Sequence, residues 1–243
     1  MLLIRSMLFD AIFYSLMLVM GILCAPLAIW SRGGAQWSVR TYCKITLWLL
    51  EKICGVRCEV RGPIPEGDVI VASKHQSFLD ILIHVRTLNA PSFIMKQELK
   101  WAPILGLYAM RIGSTPVARG RKGRAVNEMV RSASKKNTLP GQLIIYPQGT
   151  RVAPDAVLPY KVGAGVLYQR FGKPCVPAAT NAGVFWGRKS WLRRPGLAVV
   201  EYLPEIAPGK DIDGFIKQLE TEIEPASEAL MAEAGYRVAR RAS

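Results

Sequence analysis

DVIVASKHQSFLDILIHVRTL, residues 68–88, joins two different patterns. DVIVAS is a short β-branched run and reads as a buried strand, whereas FLDILIHVRTL has the apolar spacing of a helix. Between them lies His75, one of two histidines in the chain, with Asp80 five positions later. If residues 75–80 were all helical, that step would turn the two side chains about 140° apart and out of reach. Contact therefore requires His75 in the strand-to-helix loop and Asp80 in the first turn of the helix. In that arrangement Asp80 fixes the imidazole tautomer and leaves the other ring nitrogen free to take a proton. The same letters also spell Ser77-x-x-Asp80, a capping-box-like helix start in which His75 is a plain loop residue. Both readings stand at this point.

The alternation continues to the carboxyl terminus. VRCEVRG (56–62), PSFIMK (91–96), STPVAR (114–119), QLIIYP (142–147), PCVPAATNAG (174–183) and LAVVEYL (197–203) read as strands. APILGLYAMRIG, RKGRAVNEMVRSASKK (121–136), YKVGAGVLYQRFG (160–172) and the stretch from Asp211 read as helices, the last with an aspartate cap. This pattern predicts an α/β fold: a single domain, residues 56–243, with a central, mostly buried mixed sheet flanked by helices.

Residues 1–55 differ. MLFDAIFYSLMLVMGILCAPLAIW (7–30) is apolar, and a helix from Leu8 to Cys24 would be about 25 Å long, short of a hydrocarbon core of about 30 Å. WSVRTYCKITLWLLEKICG (37–55) interleaves apolar and basic residues like an interfacial helix. Together with Trp30, Trp37 and Trp48, these segments predict an amino-terminal two-helix membrane element, and a buried helix pair is the competing reading.

The charge is uneven. Residues 1–200 carry 27 basic and 9 acidic side chains, whereas residues 201–243 carry 5 and 9. A field of that sign draws phosphorylated substrates, anionic lipid or nucleic acid. The Trp/Arg stretch VFWGRKSWLRRPG (184–196) suits stacking on bases, and equally a membrane interface. Five cysteines, an odd number without a zinc-type spacing, predict reduced structural thiols and a cytosol-facing protein. With two histidines and no compact acidic cluster, no metal site is expected, and His84, mid-helix, reads as structural.

IIYPQGTR (144–151) carries a buried strand into a loop. Gly149 permits positive φ, Thr150 and nearby backbone N–H groups donate to anions, and Arg151 offers a two-pronged phosphate donor. The competing reading is a surface turn with an exposed arginine.

Taken in order, these stretches resemble the 1-acyl-glycerol-3-phosphate acyltransferases, glycerolipid acyltransferases with a His-x4-Asp motif. His75 and Asp80 match that motif, and YPQGTR (146–151) matches Phe-Pro-Glu-Gly-Thr-Arg. Lys96, Glu98, Leu99, Pro103, Gly106 and Arg119 match the second region, and Val176-Pro177 the fourth. The resemblance spans roughly Val69 to Leu230. It implies that His75 is the base that deprotonates a glycerol hydroxyl and that Asp80 orients it. It further implies that Lys96, Arg119 and Arg151 hold the acceptor phosphate, with Gln148, Gly149 and Thr150 as an acceptor-binding loop. The partners implied are lysophosphatidic acid, an acyl thioester of coenzyme A or acyl carrier protein as co-substrate, and a bilayer surface. No cofactor and no nucleic acid are implied. The expected location is membrane-associated, on the cytoplasmic face of a bacterial inner membrane.

One position departs from the pattern: Gln148 stands where the family has glutamate. An amide donates and accepts where a carboxylate only accepts. That difference leaves room for another lyso-lipid acceptor, such as a lyso-ornithine lipid. A non-enzymatic nucleic-acid or anionic-lipid binder would explain the basic charge, but neither the His75–Asp80 spacing nor the Gly-Thr-Arg loop.

Overall fold

The computed structural model describes residues 1–118 and 140–236. The expected helix over 121–136 and the residue Arg119 lie outside them. Three helices come first: α1 (Leu2–Leu23), α2 (Ala25–Trp30) and α3 (Arg32–Cys54). Then follow β1 (Val56–Arg61), β2 (Val69–Ser73), α4 (Leu79–Thr87), β3 (Pro91–Lys96), a 3-10 turn (Gln97–Trp101), α5 (Leu105–Arg111) and β4 (Thr115–Val117). The chain continues with β5 (Gln142–Ile145), α6 (Val162–Phe171), β6 (Cys175–Thr180), α7 (Ala182–Phe185), β7 (Gly196–Tyr202) and α8 (Ile212–Glu233).

The seven strands form one sheet in the order β1-β7-β6-β2-β5-β3-β4. β6, β2, β5, β3 and β4 run parallel, whereas β7 pairs antiparallel with β6, so the sheet is mixed as expected. β2 is buried at all five positions, because it lies mid-sheet with a helical layer on each face. Its side chains alternate between two cores. Val69 and Val71 join α3 and α4 in one, and Ile70 and Ala72 join α6 and α8 in the other. Parallel strands bring their carboxyl ends to the same edge, and the crevice beyond those ends is where α/β sheets place ligands. Here the loops after β2 and β5 and the end of β3 share that edge.

The amino terminus corrects one expectation. Among the described residues one helix, α1, is long and apolar enough to cross a membrane by length and composition, not two. α3 starts earlier than its periodicity suggested, at Arg32, because Ser31 caps it by accepting from Gly34 N–H at 2.9 Å. Gly34 also lets α3 lie against α2, since a Cβ there would come within 2.4 Å of the Leu27 carbonyl oxygen. The helix ends at Gly55, whose φ of 73° suits glycine. Much of the apolar surface of α3 is spent inside the protein, where Cys43, Leu47, Leu50 and Cys54 join the core, whereas Trp37 and Trp48 stay exposed.

The Trp/Arg stretch divides likewise. Trp191 is exposed, but Trp186 and Arg193 turn inward against α1. Arg193 pairs with Asp10 at 2.5 Å, lies over the Trp186 ring, and donates its backbone N–H to Ser6 Oγ at 2.9 Å. All five cysteines are free thiols. Burial pushes the Cys54 thiol up to about 11 and that of Cys58 to about 12, which leaves them protonated and unreactive.

Candidate active site

The registers of β2 and β5 place the two motifs side by side. Ala72 pairs with Ile145, so His75 and Tyr146 both emerge just past the paired strand ends. Their rings stack 3.8 Å apart at an interplanar angle of 18°. The His75 carbonyl also accepts from Val152 N–H at 2.7 Å, tying the two loops together.

Asp80 is fully buried in the first turn of α4. One carboxylate oxygen lies 2.9 Å from His75 Nδ1 and accepts from the Tyr146 hydroxyl at 3.3 Å. The other accepts from the backbone N–H groups of Gln76 at 3.0 Å and Ser77 at 2.8 Å. The catalytic and capping geometries thus coexist in one side chain. A carboxylate only accepts, so Nδ1 carries the proton of the neutral ring and Nε2 offers its lone pair. Burial, and then the Asp80 charge, hold the Tyr146 hydroxyl well above the usual phenol range, so it remains a donor to Asp80.

His75 lines a cavity of about 960 Å³, at the upper end of the range for small-molecule sites. Its walls are mainly apolar and come from α1, α3, α4 and α5, with Met20, Tyr42, Leu82 and Ile104 among them. Lys96 and Gly149 also line it, as does Lys161, which ends the segment before α6. Gly149 has φ 70°, and a Cβ there would lie 2.9 Å from Lys161 Nζ.

The other motif residues are placed differently. Arg151 is half-buried and follows Gly149 outside the cavity wall, its carbonyl accepting from Arg188. Thr150, half-buried, is likewise outside the wall. Gln148 is buried and turned away from the cavity, donating to the Leu158 carbonyl at 3.1 Å. Tyr146 and Lys161 carried no separate signal in the sequence. Tyr146 stood inside a quoted motif as an ordinary strand-end aromatic, and Lys161 is brought to the cavity only by the path of residues 152–160.

His84, one turn beyond Asp80, is fully buried. Ser73 Oγ donates to the Lys74 carbonyl and so accepts from His84 Nε2 at 2.9 Å, leaving Nδ1 to accept from the Tyr202 hydroxyl at 2.9 Å. Burial lowers its pKa to about 4 from an ordinary 6.5, with His75 adding to the lowering and Asp80 opposing it. Between those values the unfolded chain binds a proton that the folded protein does not. Stability is therefore full above pH 6.5 and is lost as pH falls toward 4, by about 3 kcal/mol from this group. Denaturant melts at pH 7 and pH 4.5 should differ by that order in the parent, and by clearly less in His84→Gln.

The chain has relatives among known proteins. It is 26% identical over 204 residues to the 1-acyl-sn-glycerol-3-phosphate acyltransferase of Pseudomonas aeruginosa, covering 83% of this chain and 78% of that one. It is 31% identical over 168 residues to the human 1-acyl-sn-glycerol-3-phosphate acyltransferase alpha, covering 67% of this chain but only 59% of that protein. The crystal structure of the 1-acyl-sn-glycerophosphate (LPA) acyltransferase from Thermotoga maritima has the same fold, with a TM-score of 0.78 at 21% identity over 99% of this chain and 100% of that one. A family model described as acyltransferase matches residues 55–181, a span that holds His75, Asp80 and the YPQGTR loop. That match takes in just over half of the chain, which therefore belongs to the acyltransferase family of enzymes.

Proposed function

We propose that this enzyme transfers an acyl chain from an acyl thioester to the free hydroxyl of 1-acyl-glycerol-3-phosphate, giving phosphatidic acid. The observation that carries the reading is His75, held by Asp80 with Nε2 unbonded among the described residues, in the wall of a large apolar cavity. His75 Nε2 takes the hydroxyl proton as the oxygen attacks the thioester carbonyl. The tetrahedral intermediate collapses, the C–S bond breaks, and the imidazolium returns its proton to the departing thiolate. The apolar cavity houses an acyl chain, and Lys96 and Lys161 on its wall supply positive charge for the acceptor phosphate. Arg151 extends that basic surface beyond the wall.

The exposed apolar side of α1 supports membrane association. Leu3, Ile4, Met7 and Leu8 are exposed, whereas Ser6, Phe9 and Phe13 face the protein and Asp10 pairs with Arg193. A helix with one side engaged by the protein favours lying along one leaflet, on the cytoplasmic face, over crossing the bilayer freely.

The test is thiol release from oleoyl-coenzyme A and from oleoyl-acyl carrier protein, with and without lysophosphatidic acid and with a lyso-ornithine lipid. Release that depends on lysophosphatidic acid supports the reading; release with the amino lipid alone replaces the acceptor. Lys96→Ala is expected to raise the KM for lysophosphatidic acid by about tenfold or more, the loss of one charge-assisted contact, with kcat nearly unchanged.

A further inference from the structure

The departure at Gln148 has a physical partner on the last helix. Glu224 of α8 lies beneath the site, away from the cavity wall. Its carboxylate meets Lys74 Nζ at 2.5 and 2.7 Å, accepts from the Tyr160 hydroxyl at 2.8 Å, and receives the Gln148 amide at 3.5 Å. Lys74 is 3% exposed and Gln148 2%, so the ion pair is largely removed from solvent. Each of the three donors adjoins a residue of the site: Lys74 precedes His75, Gln148 lies between Tyr146 and Gly149, and Tyr160 precedes Lys161.

We propose that Glu224 is a positioning residue for the site, supplying from α8 the single carboxylate that Lys74 requires and thereby demanding a neutral donor at position 148. One buried ammonium balances one carboxylate. A glutamate at 148 would set a second carboxylate against Glu224 at hydrogen-bond range, and one of the two would have to take a proton. With Gln148, the amide instead donates to Glu224 and to the Leu158 carbonyl, and the loops of residues 74, 148 and 160 are tied to one anchor. Burial, followed by the Glu224 charge, holds the Tyr160 hydroxyl far above the usual phenol range, so it stays a donor in this cluster. The positioning role rests on the reading of His75 as the reacting base; the charge coupling does not.

The experiment is a cycle of Gln148→Glu, Glu224→Gln and the double variant in the full-length detergent-solubilised enzyme. It reads Tm, kcat and KM, and the NMR signals of the His75 ring, which are assignable because the chain has only two histidines. Each single variant should lower kcat about tenfold or more and lower Tm by several degrees, with acceptor KM within about twofold. The double variant restores one carboxylate against Lys74. It should regain kcat to within about threefold, recover Tm, and return the His75 signals toward the parent's. Additive losses in the double variant overturn the charge exchange. Unchanged kcat and His75 signals in Glu224→Gln overturn the positioning role. If the parent turns over no lysophosphatidic acid, the proposed function fails, yet Tm and the His75 signals still decide this proposal.

Discussion

Replacing His75 by alanine is expected to lower acyl transfer by about a thousandfold, since a positioned base contributes about 10² to 10⁴ and no second histidine faces the cavity. The protein should stay folded, because the ring is near the cavity wall and its removal leaves the Gln76, Ser77 and Tyr146 contacts of Asp80 in place. Asp80→Asn should cost about as much rate for a different reason. Four donors converge on Asp80, and an amide offers one accepting oxygen. If its NH₂ turned toward His75, Nδ1 would have to accept, Nε2 would carry the proton, and the base would be lost. Steady-state kinetics with circular dichroism on both variants is the check. His75→Ala retaining a tenth of parental kcat would remove His75 from the mechanism, and Asp80→Asn retaining it would remove the carboxylate's control of the tautomer.

The second large effect is on stability. Asp10 and Arg193 form an ion pair between α1 and the loop before β7, with side chains 16% and 6% exposed. Asp10→Ala leaves the Arg193 guanidinium in contact with Phe9 and Trp186 without a counter-charge. Removing one partner of such a buried pair costs about 3 kcal/mol or more, whereas replacing both with apolar groups of matching volume costs much less. Asp10→Ala should therefore show a clearly lowered Tm and faster proteolysis near residue 190, and Asp10→Leu/Arg193→Met should recover much of both. Because α1 also lines the cavity through Met17, Met20 and Gly21, the single variant should lose activity on long acyl chains together with stability.

The strand–loop–helix at 68–88 was legible because its chemistry is local. A β-branched run, a loop and an apolar helix face settle their own conformations, and a five-residue spacing settles which conformations let His75 and Asp80 meet. The same holds for the α8 cap, where Asp211 accepts from Gly214 as its position suggested. The mixed sheet was legible at the level of class, since alternating strands and helices admit few layered arrangements.

What the sequence determined about this protein was therefore the identity of the strands and the longer described helices, but not of α2 or α7, and the two motif loops, because propensity, spacing and turn chemistry act over a few residues. The tertiary structure alone decided which loops share an edge. The β2–β5 register stacks Tyr146 on His75, and the path into α6 brings Lys161 to the cavity. It also decided the charge partners: Glu224 reaches Lys74 across 150 residues, and Asp10 reaches Arg193 across 183. It decided as well that α3 turns much of its apolar surface inward, because helix periodicity records that a face is apolar and not what covers it. Long-range pairings depend on strand order and packing, which no local window of residues contains.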